Sequence, residues 1–188
     1  MPRIEQTDQD RRDQIVDAAF DLIGDVGLQG LRMRDVAAAA GVNISTVHYH
    51  VASKAELVRA VVGKANGTFR THALPPAGTD PVRRMQAHLT KVFDLLLADP
   101  RLGRVLAEVA LHAPRDPVIA ETVAAAERHW LSALRAMLPP GRDSAAFARM
   151  VMLTVKGACL PAADPREMRS ARRALLHSVE LWFQGCRT

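Results

Sequence analysis

Residues 31–54, LRMRDVAAAAGVNISTVHYHVASK, decide how the rest of the chain is read. Residues 33–40 are small and helix-favouring, with Val36 and Ala37 on one side. Gly41 supplies a positive-φ residue that ends a helix without a Cβ clash. Asn43 is placed to cap the next helix, its side-chain oxygen accepting from a free backbone N–H. Residues 44–50 then make about two turns. Val42 and Val47 point back onto the first helix, and Ser45, Thr46, His48, Tyr49 and His50 crowd the other faces. Two short helices with glycine at the corner and a polar, aromatic second helix are the layout of a DNA-reading helix-turn-helix. An ordinary helical corner has the same outline, so the pattern alone leaves both open.

The residues around this stretch carry a resemblance. MRDVAAAAGV, STVHYH and SKAEL follow one another in this order and spacing, with an amphipathic helix ahead of them. Together they resemble the DNA-binding region of the TetR (tetracycline-repressor) family from about residue 10 to residue 62. The resemblance implies an all-α chain of about nine helices. Residues 10–62 would form a three-helix DNA-binding domain, and residues 63–188 a larger helical domain for ligand binding and dimerisation. Beyond residue 62 only length and helical layout agree.

Composition suits that outline. The chain has 188 residues, 48% of them hydrophobic, enough for a substantial core, and 4% aromatic, which leaves little strand signal. No apolar run approaches the ~20 residues needed to cross a bilayer, and the polar start, MPRIEQTDQDRRDQ, is no signal peptide. Cys159 and Cys186 have neither metal-site spacing nor a disulfide framework, so both are expected as free thiols in a cytoplasmic protein. The net charge of +5 is unevenly spread. Residues 1–60 hold seven Lys/Arg against nine Asp/Glu, so phosphate binding there rests on a few placed groups.

In chain order, residues 1–9 are expected to be disordered. A helix over residues 10–26 buries Ile15, Ala18, Ala19, Leu22 and Ile23, and Leu28 and Leu31 plug the small core. Arg32 stands where the resembled family has Ser or Thr, so the next helix lacks a good cap. Ser53 and Glu56 form a capping-box pattern for a helix that frays through Gly63, Asn66 and Gly67. LPPAGTDP, residues 74–81, is the clearest break and marks the domain linkage. Five helices come after it, over residues 81–98, 100–112, 117–137, 143–160 and from 165 onward.

The resemblance assigns roles to particular residues. Arg34 contacts a base or phosphate. Asn43, Ile44, Ser45 and Thr46 lie at the end of the recognition helix that meets base edges and phosphate. Tyr49 packs on the sugar-phosphate backbone, flanked by His48 and His50, and Lys54 binds phosphate. Ile44 replaces a frequent polar residue and offers apolar contact only. Val51 replaces a frequent Phe and weakens the packing beneath. His48 and His50 are two residues apart and point to different faces of a helix, so no metal site is expected.

A single reading unit covers few base pairs, so a homodimer on a palindromic operator is expected. The resemblance puts the interface on the last two helices, here Phe147, Val151, Val155, Leu175, Leu176, Val179, Trp182 and Phe183. It also implies a small-molecule effector among the middle helices, with Met85, His88, Leu89, Phe93, His112, His129, Trp130 and Met150 as candidate lining. The ligand would favour the state that cannot bind DNA, making a repressor released by its effector. No cofactor is implied. None of the motifs G-x-G-x-x-G, H-E-x-x-H or G-x-S-x-G occurs, which argues against an enzyme. The competing readings are an architectural DNA binder or a protein-interaction module without a ligand.

Overall fold

The structure, a computed structural model, describes residues 2–72, 80–141, 143–160 and 164–186. Among them are nine α-helices: α1 (Pro2–Gly30), α2 (Met33–Ala39), α3 (Ile44–His50), α4 (Lys54–His72), α5 (Pro81–Ala98), α6 (Pro100–His112), α7 (Pro117–Ala136), α8 (Ser144–Ala158) and α9 (Pro165–Gly185). No strand occurs among the described residues. Most of the linkage expected over residues 74–81 lies outside the described residues.

The chain divides into two compact units. The first comprises Met1–Ala65 and Glu108–Val123, the second Asn66–Ala107 and Ala124–Thr188. Sequence neighbours therefore do not all share a unit. The last turn of α6 and the start of α7 belong with the N-terminal helices.

In the first unit α1, α2 and α3 pack on one another. Their core is Ile15, Ala19, Ile23, Leu28, Leu31, Val36 and Val47, each at most 3% exposed. Burying a Leu or Ile side chain is worth ~1.5–3 kcal/mol. A stretch this short is therefore held by its few large apolar side chains, not by helix propensity. Leu22, expected inward, is only half-buried. Two boundaries differ from expectation. The first helix starts at Pro2, and residues 2–9 are helical instead of disordered. Proline suits the first turn; farther on, Gln9 Nε2 donates to Asp13 at 2.8 Å, and Asp8 Oδ1 lies 3.7 Å from His50 Nε2. Helix α4 does not fray at Gly63 but continues to His72. An interior glycine costs ~1 kcal/mol against alanine, and Val61, Val62 and Ala65, all buried on the same helix, offset it.

In the second unit α9 lies along α5 and also packs on α8. Met85, Leu89, Val92, Phe93 and Leu96 of α5 are buried, as are Leu175, Val179 and Phe183 of α9. Asp80 caps α5, accepting from Arg83 N–H at 3.2 Å, and Asp164 caps α9, accepting from Arg166 N–H at 2.7 Å. Proline at the first helical position comes directly after each cap. Arg172 of α9 pairs with Asp94 of α5 at 2.7 Å, and Lys156 of α8 pairs with Glu127 of α7.

Candidate nucleic-acid interface

The corner between α2 and α3 is built as its residues dictate. Gly41 has φ 64°, and a Cβ there would meet open space, so backbone conformation and not crowding selects glycine. The N–H of Val42 returns to Ala37 O at 3.0 Å and that of Gly41 to Ala38 O at 3.2 Å, satisfying carbonyls at the end of α2. Arg32 starts α2 without a side-chain cap, as expected from its identity. Asn43 caps α3 twice over. Its Oδ1 accepts from the backbone N–H of Thr46 at 2.7 Å and from the Thr46 hydroxyl at 2.9 Å. Since the hydroxyl has one proton, Thr46 retains only acceptor capacity and its methyl for an outside partner.

Val47 is fully buried and turns α3 so that Ser45, His48 and Tyr49 face outward. Tyr49 is 77% exposed, a large apolar ring with no intramolecular cover on most of its surface. Ile44 and Thr46 are half-buried at the start of the helix. Arg34 is exposed on α2, and no carboxylate among the described residues pairs with it. His50 behaves differently: its side chain is 7% exposed and faces Asp8 of α1. It belongs to the packing beneath the helix more than to the outer face, and its ring meets Tyr49 edge-on at 5.1 Å. Among the described residues no group of His, Cys, Asp and Glu could hold a metal ion.

Lys54 has a use that its sequence position conceals. Its ammonium donates to the carbonyls of Leu28 and Leu31, each at 2.9 Å, and so ties the start of α4 to the end of α1. Burial lowers its pKa from the ordinary lysine range. The phosphate contact expected of Lys54 is thus not the bond its side chain makes here. Ser53 caps α4, its Oγ accepting from Glu56 N–H at 3.1 Å, but Glu56 reaches back to Ala52 N–H at 2.9 Å, one residue beyond the usual capping-box partner.

Leu28 is held from the other side as well. Glu108 Oε2 accepts from its backbone N–H at 3.1 Å. Just before it, Gly27 breaks α1 with φ 75° and ψ 167°. A Cβ on Gly27 would lie 3.0 Å from Glu108 Oε2.

Residues 15–61, which include the α2–α3 pair and Lys54, match the profile of bacterial regulatory proteins, tetR family. The transcriptional repressor KstR of Rhodococcus jostii is 28% identical over 151 residues, which cover 76% of this chain and 68% of that protein. A crystal structure of a transcriptional regulator from Rhodococcus sp. Rha1 superposes with a TM-score of 0.79 at 24% identity, covering 89% of this chain and 95% of that one. The chain resembles tetR-family regulators, most specifically over residues 15–61. The tetracycline repressor of class D from Escherichia coli is 31% identical, but the match spans only 36% of this chain and 31% of that protein's own length. Members of the family are DNA-binding transcriptional regulators and typically not enzymes. Among the described residues no helix is long and apolar enough to cross a membrane.

The remaining expected residues scatter. Met85, His88, Leu89 and Phe93 are buried on α5, and Trp130 Nε1 donates to His88 Nε2 at 3.2 Å. That bond requires Nε2 to be an unprotonated acceptor. His112 belongs to the first unit, where its Nδ1 meets Glu108 O at 3.0 Å within α6. His129 is exposed and Met150 is 42% exposed, so neither joins the buried set.

The apolar residues expected at a dimer seam are mostly spent inside the chain. Phe147, Val151, Val155, Leu175, Val179 and Phe183 are buried, Leu176 and Trp182 half-buried. Phe147 stacks on Trp182 with ring centroids 4.7 Å apart. The outward apolar residues are others, Met150 and Leu153 on α8 and Leu181 on α9, the last two 55% and 53% exposed. Helical spacing marks an apolar stripe but does not say which of two stripes meets the chain's own core. Glu108 was missed altogether, because a glutamate near the end of an amphipathic helix reads as solvated surface.

Proposed function

We propose that this chain is a sequence-specific, ligand-responsive DNA-binding regulator that represses from a palindromic operator as a cytoplasmic homodimer. The observation that carries the reading is the outer face of the helix pair. Arg34, Ser45, His48 and Tyr49 are exposed together, while Val36 and Val47 on the opposite sides are fully buried. A stable helix that turns an exposed tyrosine and short hydroxyls outward, beside a free arginine, suits insertion into the major groove. Asn43 and Ile44 stand at the entering end, His50 packs beneath the helix, and Lys54 ties α4 to the end of α1.

Two partners complete the proposal. A second copy of the chain would cover Leu153 of α8 and Leu181 of α9, since isologous contact buries the same surface on both subunits. A small molecule would act through the helical domain, where Met85, His88, Leu89, Phe93 and Trp130 are candidate lining and His129 and Met150 weaker ones. Its effect on DNA binding depends on differential affinity for the two states.

The test is a binding-site selection from random duplex DNA at fixed low salt, repeated with Tyr49→Ala. The expected result is an enriched palindrome with half-sites about one helical turn or more apart, lost in the variant. Absence of enrichment, or binding that disappears with modest salt and ignores the substitution, refutes sequence-specific reading.

A further inference from the structure

Helix α9 carries Arg166, Arg169, Arg173 and His177 along one face, all of them exposed. Steps of three and four residues keep them in one row. No carboxylate among the described residues pairs with these three arginines, whereas Arg172 beside them is spent on Asp94 of α5. Glu180, one turn past His177, ends the row. Helix α1 carries the opposite row. Asp10, Asp13, Asp17 and Asp21 are exposed and follow one another at the same steps of three, four and four. Within that row Gln9 donates to Asp13, and Lys64 pairs with Asp17.

Like charges one turn apart destabilise a helix. Arg166 also lies in the first turn of α9, where the helix dipole disfavours a cation. Local stability therefore explains neither row. Core packing does not explain them either, because Met168, Leu175 and Val179 are buried on another side of α9, as are Ile15, Ala19 and Ile23 on α1. What the two rows do match is each other. They are opposite in sign and alike in spacing, rising ~4.5 Å and then ~6 Å per step.

We propose that the arginine row of α9 docks on the aspartate row of α1 in a second copy of the chain. The two patches differ, so the contact is head-to-tail and can repeat. It is separate from the seam at Leu153 and Leu181, and it does not rest on DNA reading. Exposed ion pairs are individually weak and screened by salt. Copies held side by side, as on one duplex, gain most from them.

The experiment is static light scattering of the full chain, which gives the second virial coefficient. A protein of net charge +5 ordinarily repels its copies in low salt, and added salt relieves the repulsion. The expected result is the reverse, attraction in low salt that added salt removes. Reversing one row, by Asp10→Arg with Asp13→Arg or by Arg169→Glu with Arg173→Glu, is expected to abolish the attraction. Reversing both rows leaves the net charge unchanged and is expected to restore it. An apolar seam would instead survive salt and all three variants. Repulsion in low salt for the unaltered chain, attraction that persists in a single-row variant, or no recovery in the combined one overturns the proposal. Non-specific duplex binding that falls at least tenfold with Arg169→Glu and Arg173→Glu, while the virial coefficient stays constant, assigns the arginine row to phosphate and overturns it as well. If a reversed chain fails to fold, the salt trend of the unaltered chain decides.

Discussion

Replacing Gly27 by alanine is expected to destabilise the first unit by about 2–4 kcal/mol, from two sources that can be separated. The first is backbone. At φ 75° and ψ 167° Gly27 occupies a region essentially reserved for glycine, and a side chain there costs ~1–3 kcal/mol. The second is contact. The new Cβ would sit 3.0 Å from Glu108 Oε2 and 3.4 Å from its Cδ, so the carboxylate must move. It is the same oxygen that accepts from Leu28 N–H at 3.1 Å. A hydrogen bond to a charged group is worth ~1.5–3 kcal/mol, and partial exposure brings the loss below that range, to ~0.5–1.5 kcal/mol. Urea unfolding followed by circular dichroism, at one protein concentration for all variants, measures the sum. A double-mutant cycle with Glu108→Ala separates the parts. In that background only the backbone cost remains, leaving a coupling of ~0.5–1.5 kcal/mol. A Gly27→Ala protein within ~0.5 kcal/mol of the original would refute the backbone argument. Strict additivity in the cycle would refute the role given to Glu108.

Lys54→Met should lower stability by ~1–3 kcal/mol, because the carbonyls of Leu28 and Leu31 lose their donor. Tyr49→Ala, at a site 77% exposed, should leave the melting temperature unchanged while weakening DNA binding. Equal melting temperatures for the two variants would count against the inward assignment of Lys54. Burial raises the Cys159 thiol from 9.0 to about 11, partly opposed by the charge of Lys156. At pH 8 the native protein should therefore expose one fast-reacting thiol, Cys186, and two after denaturation. The folded pKa lies above the unfolded one, so the contribution of Cys159 to stability is full below pH 9.0 and is lost as pH rises through about 11. A second fast thiol at pH 8 in the native chain contradicts this. Leu153→Glu or Leu181→Glu should shift the sedimentation coefficient from dimer to monomer with helicity retained. Val151→Ala, at a buried position, should instead lower stability by ~0.5–3 kcal/mol. Dimers that survive both glutamates would rule out this seam.

The helix pair was legible in the residues because everything that shapes it is local. Gly41 turns the chain, Asn43 caps three residues ahead, and Val47 points back over one turn, so no distant partner is needed to predict them. The same holds for the helices that open at Asp80-Pro81 and Asp164-Pro165, where an acceptor and a pre-set φ stand side by side. Family resemblance added the roles of Arg34 and Tyr49, which the outward faces of α2 and α3 accommodate.

Position along the chain is silent about long-range bonds, and there tertiary structure decided. The Lys54 ammonium reaches carbonyls 23 and 26 residues earlier, and Glu108 reaches an N–H 80 residues earlier. In sequence Lys54 reads as a phosphate ligand by resemblance and Glu108 as a solvated surface charge, because nothing nearby marks the orphan backbone groups at the break in α1. Asp8 of α1 likewise lies 3.7 Å from His50 Nε2, 42 residues away in sequence. On α8 and α9 apolar residues occupy both buried and exposed positions, Leu153 and Leu181 among the exposed ones. Which stripe turned inward was set by α9 lying along α5, which takes Leu175, Val179 and Phe183 into the core and leaves Leu181 outside. Periodicity gives the angle between residues on one helix, whereas the direction of that helix's core comes only from its neighbours.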